Sequence, residues 1–158
     1  MGIDLKNWMQ NLPDGSDLLA LNLCGTHDCV TQHIRLPHFF CCQDLTVYEQ
    51  LLLGVRALDI RVRADGKCLT MVHGIFPAYN HSCHRANLMD MGDVLSQCYR
   101  FLDECPGEAV VFQFKNDNGK ENEQCFDNLF YTYIKGKEPY WYLEDRVPTL
   151  APPEASWC

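Results

Sequence analysis

Ala57-Leu58-Asp59-Ile60-Arg61-Val62 is a short, largely apolar run with one acid and one base set into it. Such a run, bounded by turn residues, reads as a β-strand. Side chains on a strand alternate between faces, and Asp59 and Arg61 flank Ile60, so both point the same way. An isolated pair of this kind is equally well read as a structural ion pair. What stands at the ends of the neighbouring strands decides between the two readings.

Working outward, residues 18–23 form an apolar run ending at a Gly-Thr turn and read as a first strand. Residues 46–55 read as a helix: Thr46 and Glu49 have capping-box spacing, and Val47, Gln50, Leu51 and Val55 follow the helical period. On the other side, residues 69–72 make a third strand. Residues 88–105 are the clearest helix, with Leu88, Met91, Val94, Leu95, Cys98, Phe101 and Leu102 recurring every three or four positions and Pro106-Gly107 as the stop. A fourth strand follows over 109–114. A last helix is expected from about Lys120, capped by Asn118 with Glu121 and burying Cys125, Phe126, Leu129, Phe130, Tyr133 and Ile134.

Strands alternating with helices predict an α/β chain of parallel βαβ units. The link around Asp65-Gly66 is too short for a helical crossover, so a helix is missing there or the barrel is irregular. No internal repeat or low-complexity segment interrupts the pattern.

Composition excludes several function classes. With 21 acidic and 13 basic residues the net charge is −8. General nucleic-acid binding needs the opposite sign, and so does a polybasic grip on anionic lipid. Apolar runs such as residues 51–53 are far below the ~20 residues of a membrane-spanning helix. The ten cysteines contain no C-x-x-C pair, which removes the main support for zinc-ribbon and thioredoxin-like readings. His81, Cys83 and His84 lie close together without a second ligand pair, so they do not make a convincing zinc site. No signal peptide is visible, and neither a myristoylation nor a prenylation pattern is complete. Reduced thiols and a cytoplasmic location are the default reading.

The expected strand ends carry the chemistry. Gly25-Thr26-His27-Asp28 follows the first strand, Asp59 and Arg61 lie on the second, His73-Gly74 ends the third and Lys115 the fourth. In parallel barrels the active site lies on that rim. Two histidines suit general base and general acid roles, because an imidazole pKa of ~6.5 lets one be neutral and one charged. Carboxylates orient imidazoles and hold their protonated form. An arginine fork fits phosphate oxygens and stabilises charge in the transition state. These types together point to phosphodiester cleavage, with no carboxylate cluster to hold calcium and no metal or cofactor called for. His33, His38, His81 and His84 read as structural.

The same residues carry a family likeness. Residues 23–28, 43–50, Gly54 through Arg61, Val72-His73-Gly74, Pro106-Gly107-Glu108 leading to Lys115, and Val147-Pro148-Thr149-Leu150 resemble the X region of bacterial-type phosphatidylinositol-specific phospholipase C, of the PLC-like phosphodiesterases. The resemblance runs from about Trp8 to Leu150 within a domain of residues 1–150, and residues 151–158 diverge from it.

The resemblance implies an irregular TIM-type (βα)8 barrel, of which 158 residues would be the N-terminal half, since the whole needs roughly 250. It implies that His27 is the general base toward the inositol 2-hydroxyl and His73 the acid toward the departing glycerol oxygen. Arg61 would stabilise the phosphate, Asp28 and Asp59 would orient His73 and Arg61, and Lys115 would contact the inositol ring. The pairing of Arg61 with Asp59 is similar to the calcium-independent branch. The implied partners are phosphatidylinositol or a related phospholipid headgroup and, transiently, a membrane surface. Secretion is compatible with the resemblance. Two alternatives stay open: an inactive headgroup-binding fragment, and a thiol- or zinc-dependent binding module.

Overall fold

In the computed structural model, which describes residues 2, 4–65, 67–82, 87–117 and 123–150, five short strands pair into one sheet. They are β1 (Gly25–Thr26), β2 (Ala57–Ala64), β3 (Leu69–His73), β4 (Phe76–Pro77) and β5 (Val111–Asn116). β2 is the axis. Along one edge β5 runs parallel to it, from Ala57↔Val111 to Val62↔Asn116. The carbonyls of Arg56 and Val62 accept from β5 and the next residue, whereas that of Asp59 accepts from Cys29 on the other side. That second edge is shared. β1 pairs parallel with Ala57 and Leu58, and β3 pairs antiparallel with residues 62–64.

The expected run of parallel units therefore breaks after β2. Asp65 folds the chain back by accepting from the backbone N–H of Lys67 and Cys68 at 3.3 and 3.0 Å. The link is a hairpin, which is what its shortness allowed. The strand expected over 18–23 is also displaced. Leu18–Ala20 is a turn of 3-10 helix capped by Asp17, which accepts from Leu19 N–H. Leu19 is 72% exposed, so this apolar run had no second face to bury. Only Gly25 and Thr26 join the sheet. A side chain at Gly25 would meet the Cβ of Ala57 at 3.2 Å, so the close approach of β1 to β2 requires glycine.

Among the described residues the helices are α1 (Pro37–Phe40), α2 (Val47–Leu52), α3 (Met91–Glu104) and α4 (Glu123–Ile134), apart from turns of 3-10 helix. Thr46 caps α2 in a complete capping box, as its spacing predicts. α3 starts at Met91, not Leu88. Asp90 and Asp93 form its capping box, while Leu88 bridges Tyr79 in extended conformation. The caps expected for α4, Asn118 and Glu121, lie outside the described residues, as do Cys83, His84 and residues 151–158. Cys125 on α4 is exposed, contrary to expectation, and Ile134 is buried.

β2 alternates along its length: Leu58, Ile60, Val62 and Ala64 are buried, and Ala57, Asp59, Arg61 and Arg63 are not. The buried set joins Val47 and Leu51 of α2, Met91, Val94, Leu95, Cys98 and Phe101 of α3, and Leu69 and Met71 of β3 in one core. Phe112 and Phe114 of β5, with Phe130 and Trp141, extend it as an aromatic cluster with centroids 5.0–5.6 Å apart. Each large side chain so buried contributes about 1.5–3 kcal/mol. The other face of β2 and β5 is left for polar groups.

One residue before β2, Arg56 is fully buried. Its Nε and Nη2 donate to Glu108 Oε2 at 2.9 and 2.7 Å, Nη1 to the carbonyls of Leu51 and Val55, and Nη2 also to that of Lys6. Its guanidinium lies 4.6 Å from the Phe101 ring centroid. Glu108 Oε1 accepts in turn from Met9 N–H at 2.8 Å. The pair ties the N-terminal segment, the end of α2 and the α3–β5 loop to the foot of β2. Removing one partner strands a buried charge, which costs about 3–5 kcal/mol. Glu108→Ala is expected to lower stability by that amount in urea unfolding. Glu104→Ala, which breaks exposed contacts with Lys6, Arg100 and the Tyr48 hydroxyl, should shift the midpoint far less, and equal shifts would refute the central role of the buried pair.

Candidate active site

β1 runs toward the middle of β2 from below and β3 runs toward it from above, so their carboxyl ends face each other across Asp59 and Arg61. His27 and Asp28 lie just past the end of β1, and His73 ends β3. The sequence expectation that these residues converge is met. The reason differs: Asp59 and Arg61 lie mid-strand, and His73 arrives on an antiparallel strand.

The imidazoles of His27 and His73 have centroids 6.5 Å apart, one edge-on to the other. His27 Nδ1 lies 2.8 Å from Asp59 Oδ2 and Nε2 lies 3.2 Å from Asp28 Oδ2. His73 Nδ1 is 3.1 Å from the Phe40 carbonyl, which assigns it a proton there. Its Nε2 faces Asp28 Oδ2 at 3.6 Å. Arg61 joins both aspartates: Nε is 3.1 Å from Asp28 Oδ1 and Nη2 3.4 Å from Asp59 Oδ2. Asp59 thus stands closest to His27, while Asp28 lies under His27, His73 and Arg61 together.

Asp28 has φ +46°, in the left-handed region. Aspartate tolerates that conformation better than most residues. Both its oxygens are sealed from solvent, and although three nitrogen-bearing side chains lie at ion-pair distance, none is aligned to hydrogen-bond to it. Burial holds its carboxyl above the usual range, against the opposing pull of His73, Arg61 and His27. The loop around it is fixed from behind. Gln50, buried on α2, accepts from Thr26 Oγ1 at 2.7 Å and donates to the carbonyls of Cys29 and Leu45. Thr31 Oγ1 donates to the Asp28 carbonyl and accepts from Cys42 N–H.

Lys115 pairs with Arg61 in register across β2 and β5, and its Nζ lies 3.0 Å from Asp117 Oδ1. Asp117 was not expected. It follows Lys115 by two, the same spacing as Asp59 and Arg61, and that alternation was the signal available. Its Oδ2 accepts from Gly74 N–H at 3.2 Å and lies 3.8 Å from Arg61 Nη1. Burial alone would raise Asp117, but the bonds from Lys115 and Gly74 outweigh it and hold the carboxyl low. Gly74 turns the chain at φ +58°, where a side chain would be strained. Cys42 is a second unexpected neighbour, its Sγ 3.9 Å from His73 Nδ1. Nothing in its spacing marks it.

An open trough of about 350 Å³ lies beside His27 and Asp59, lined also by Gly25, Thr26, Ala57 and Gln113. At the rim, Phe39 is 79% and Ile75 68% exposed, with Leu36, also exposed, three residues before Phe39. Phe40 links this rim to the site, with its ring 4.3 Å from Phe76 and 5.6 Å from His73 between centroids.

No family model matches the chain. It is similar to the 1-phosphatidylinositol phosphodiesterase of Listeria monocytogenes, 26% identical over 152 residues, which are 93% of this chain and 44% of that protein. The Staphylococcus aureus (strain Newman) protein of the same name is 27% identical over 143 residues, 87% of this chain and 43% of its own. Among solved structures, a Staphylococcus aureus phosphatidylinositol-specific phospholipase C superposes with TM-score 0.77 at 27% identity, over 93% of this chain and 49% of that one. The Listeria monocytogenes enzyme superposes with TM-score 0.74 at 25% identity, over 95% and 54%. The chain therefore spans about half the length of the proteins it matches. Its homologues are bacterial phosphatidylinositol phosphodiesterases, and it carries about half of their TIM-barrel fold.

Proposed function

We propose that this chain carries the acid–base machinery for cleaving phosphatidylinositol, or a closely related lipid phosphodiester, to diacylglycerol and inositol 1,2-cyclic phosphate. The observation that carries the reading is the approach of two imidazoles, centroids 6.5 Å apart, beside one guanidinium held between Asp28 and Asp59. A single phosphate can touch all three.

In this reading His27 donates a hydrogen bond from Nδ1–H to Asp59, which fixes the tautomer and leaves Nε2 as the basic atom. Nε2 takes the proton from the inositol 2-hydroxyl as that oxygen bonds to phosphorus. The bond from phosphorus to the glycerol oxygen breaks, and His73, charged and held through Nδ1 by Phe40, passes its Nε2 proton to the departing oxygen. Arg61 supplies at the phosphate the positive charge that a cation would otherwise supply. Asp28 and Asp59 position these three groups. Lys115, steadied by Asp117, meets the inositol hydroxyls in this reading. Phe39, Ile75 and Leu36 form an apolar lip suited to resting on a lipid surface while a headgroup enters the site.

Phosphorus NMR of phosphatidylinositol turnover should show the cyclic phosphate with chelator present and no calcium added. His27→Ala and His73→Ala should each lower the rate by about 10² to 10⁴, and unchanged turnover in both would remove the mechanism.

Asp28→Asn separates function from stability. The native fold binds the Asp28 proton more tightly than the unfolded chain does, so its ionisation lowers stability as pH rises from the ordinary carboxylate range through the folded pKa, then levels off. The neutral amide escapes that loss and tolerates the left-handed backbone. The variant should lose turnover yet melt at least as high as the parent at neutral pH, with an advantage that vanishes in acid. A lower melting point at neutral pH would show that the charge is not strained.

Phe39→Ala with Ile75→Ala should weaken sedimentation with phosphatidylinositol vesicles by about tenfold or more, given roughly 1.5 kcal/mol per apolar side chain buried. Thermal stability should not move. Unaltered vesicle binding would exclude the lip as the contact.

A further inference from the structure

We propose that His27, Asp28 and Cys42 form a site for a soft divalent cation, zinc above all, whose occupation switches off the histidine pair. The three residues each offer one ligand atom, and these atoms lie within 4.8 Å of one another. Nitrogen, carboxylate oxygen and sulfur are the donor types zinc accepts, at bond lengths of roughly 2.0–2.3 Å. Tetrahedral bonding at those lengths brings ligand atoms to roughly 3.5 Å apart. The His27–Asp28 pair is already there, at 3.2 Å.

Asp28 is the independent pointer to a ligand. Its Oδ2 is sealed in the protein, is aimed between the two histidines, and receives no aligned hydrogen bond. Its Oδ1 turns to Arg61 at 3.1 Å, so the guanidinium occupies one side of the carboxylate, while Oδ2 faces His27 Nε2 at 3.2 Å and His73 Nε2 at 3.6 Å. His27 and Cys42 are both exposed, so each can rotate toward Oδ2 without disturbing the core. A thiol among the ligands selects zinc over calcium or magnesium, which prefer oxygen alone. Zinc held there takes up a lone pair on His27 and cannot leave that imidazole free to accept a proton. The inhibition rests on the phosphodiesterase reading, whereas the binding does not.

Cobalt(II) added to the apo protein is the probe, because thiolate coordination gives a sulfur-to-metal charge-transfer band. The parent chain should develop that band to one equivalent and lose it when zinc is added. Cys42→Ser should lack the band and bind zinc at least about tenfold more weakly, a loss that even an outer-shell change produces. Cys41→Ser should keep both. No band in the parent, or the same band in Cys42→Ser, overturns the site. In parallel, zinc should stop lipid turnover by the parent and spare Cys42→Ser, each compared with its own zinc-free rate. Turnover unaffected by saturating zinc overturns the switch. A chain that binds cobalt through Cys42 but cleaves no lipid supports the site and counts against the phosphodiesterase reading.

Discussion

The buried contact between Arg56 and Glu108 fixes where β2 begins, and every group at the site is counted from that start. Arg56 spends its donors on Glu108 and on carbonyls of the N-terminal segment and α2. A guanidinium with this many partners in a dry interior cannot slip by a residue without stranding several of them. Three residues on stands Asp59, five on stands Arg61. A shift of one position would turn both into the core and bring Leu58 and Ile60 out to the polar face. The ion pair at the foot of the strand is thus a register pin for the chemistry in its middle.

What it positions is a cluster with charges of both signs. Asp28, Asp59 and Asp117 surround Arg61, and Lys115 completes the set through Asp117. The aspartates are in unlike environments. Asp117 is held low by direct hydrogen bonds, while Asp28, sealed and without an aligned donor, is pushed up. An anion arriving between the histidines would meet Arg61 and two imidazoles on one side and a carboxylate already reluctant to be charged on the other. That arrangement tolerates an anion better than the count of charges suggests, because a reluctant carboxylate repels least when it can share a proton.

Much of this was legible in the sequence, for physical reasons that differ by residue. Asp59 and Arg61 were readable because a strand's period of two is rigid. The α2 cap at Thr46 and Glu49 was readable because a capping box is local chemistry. The strand expected over 18–23 failed because a short apolar run does not reveal whether both its faces will be covered. Leu19 stays outside, and the polar groups of this stretch are satisfied by Asp17 and by the Pro148 carbonyl. Arg56 and Glu108 lie 52 residues apart, and no local signal marks a buried charge pair. Cys42 belongs to the same class: only the fold brings it beside His73.

The antiparallel approach of β3 is what allows two histidines to share so small a space. Had all strands run parallel, β1 and β3 could not both end on this edge of β2, and their ends would stand at least two strand spacings of about 4.8 Å apart along a rim. Here β1 pairs for two residues, turns at Asp28 and makes its last bond to the edge of β2 from Cys29 N–H to the Asp59 carbonyl. Beyond that bond the edge is vacated, and β3, returning from the Asp65 hairpin, comes down it to end at His73. The two strands meet end to end over Asp59 and Arg61, with the side chain of the turning residue directly beneath the junction. The unusual backbone of Asp28 and its buried carboxylate are therefore one feature seen twice: the turn that makes room for the second histidine also drives the acid under both.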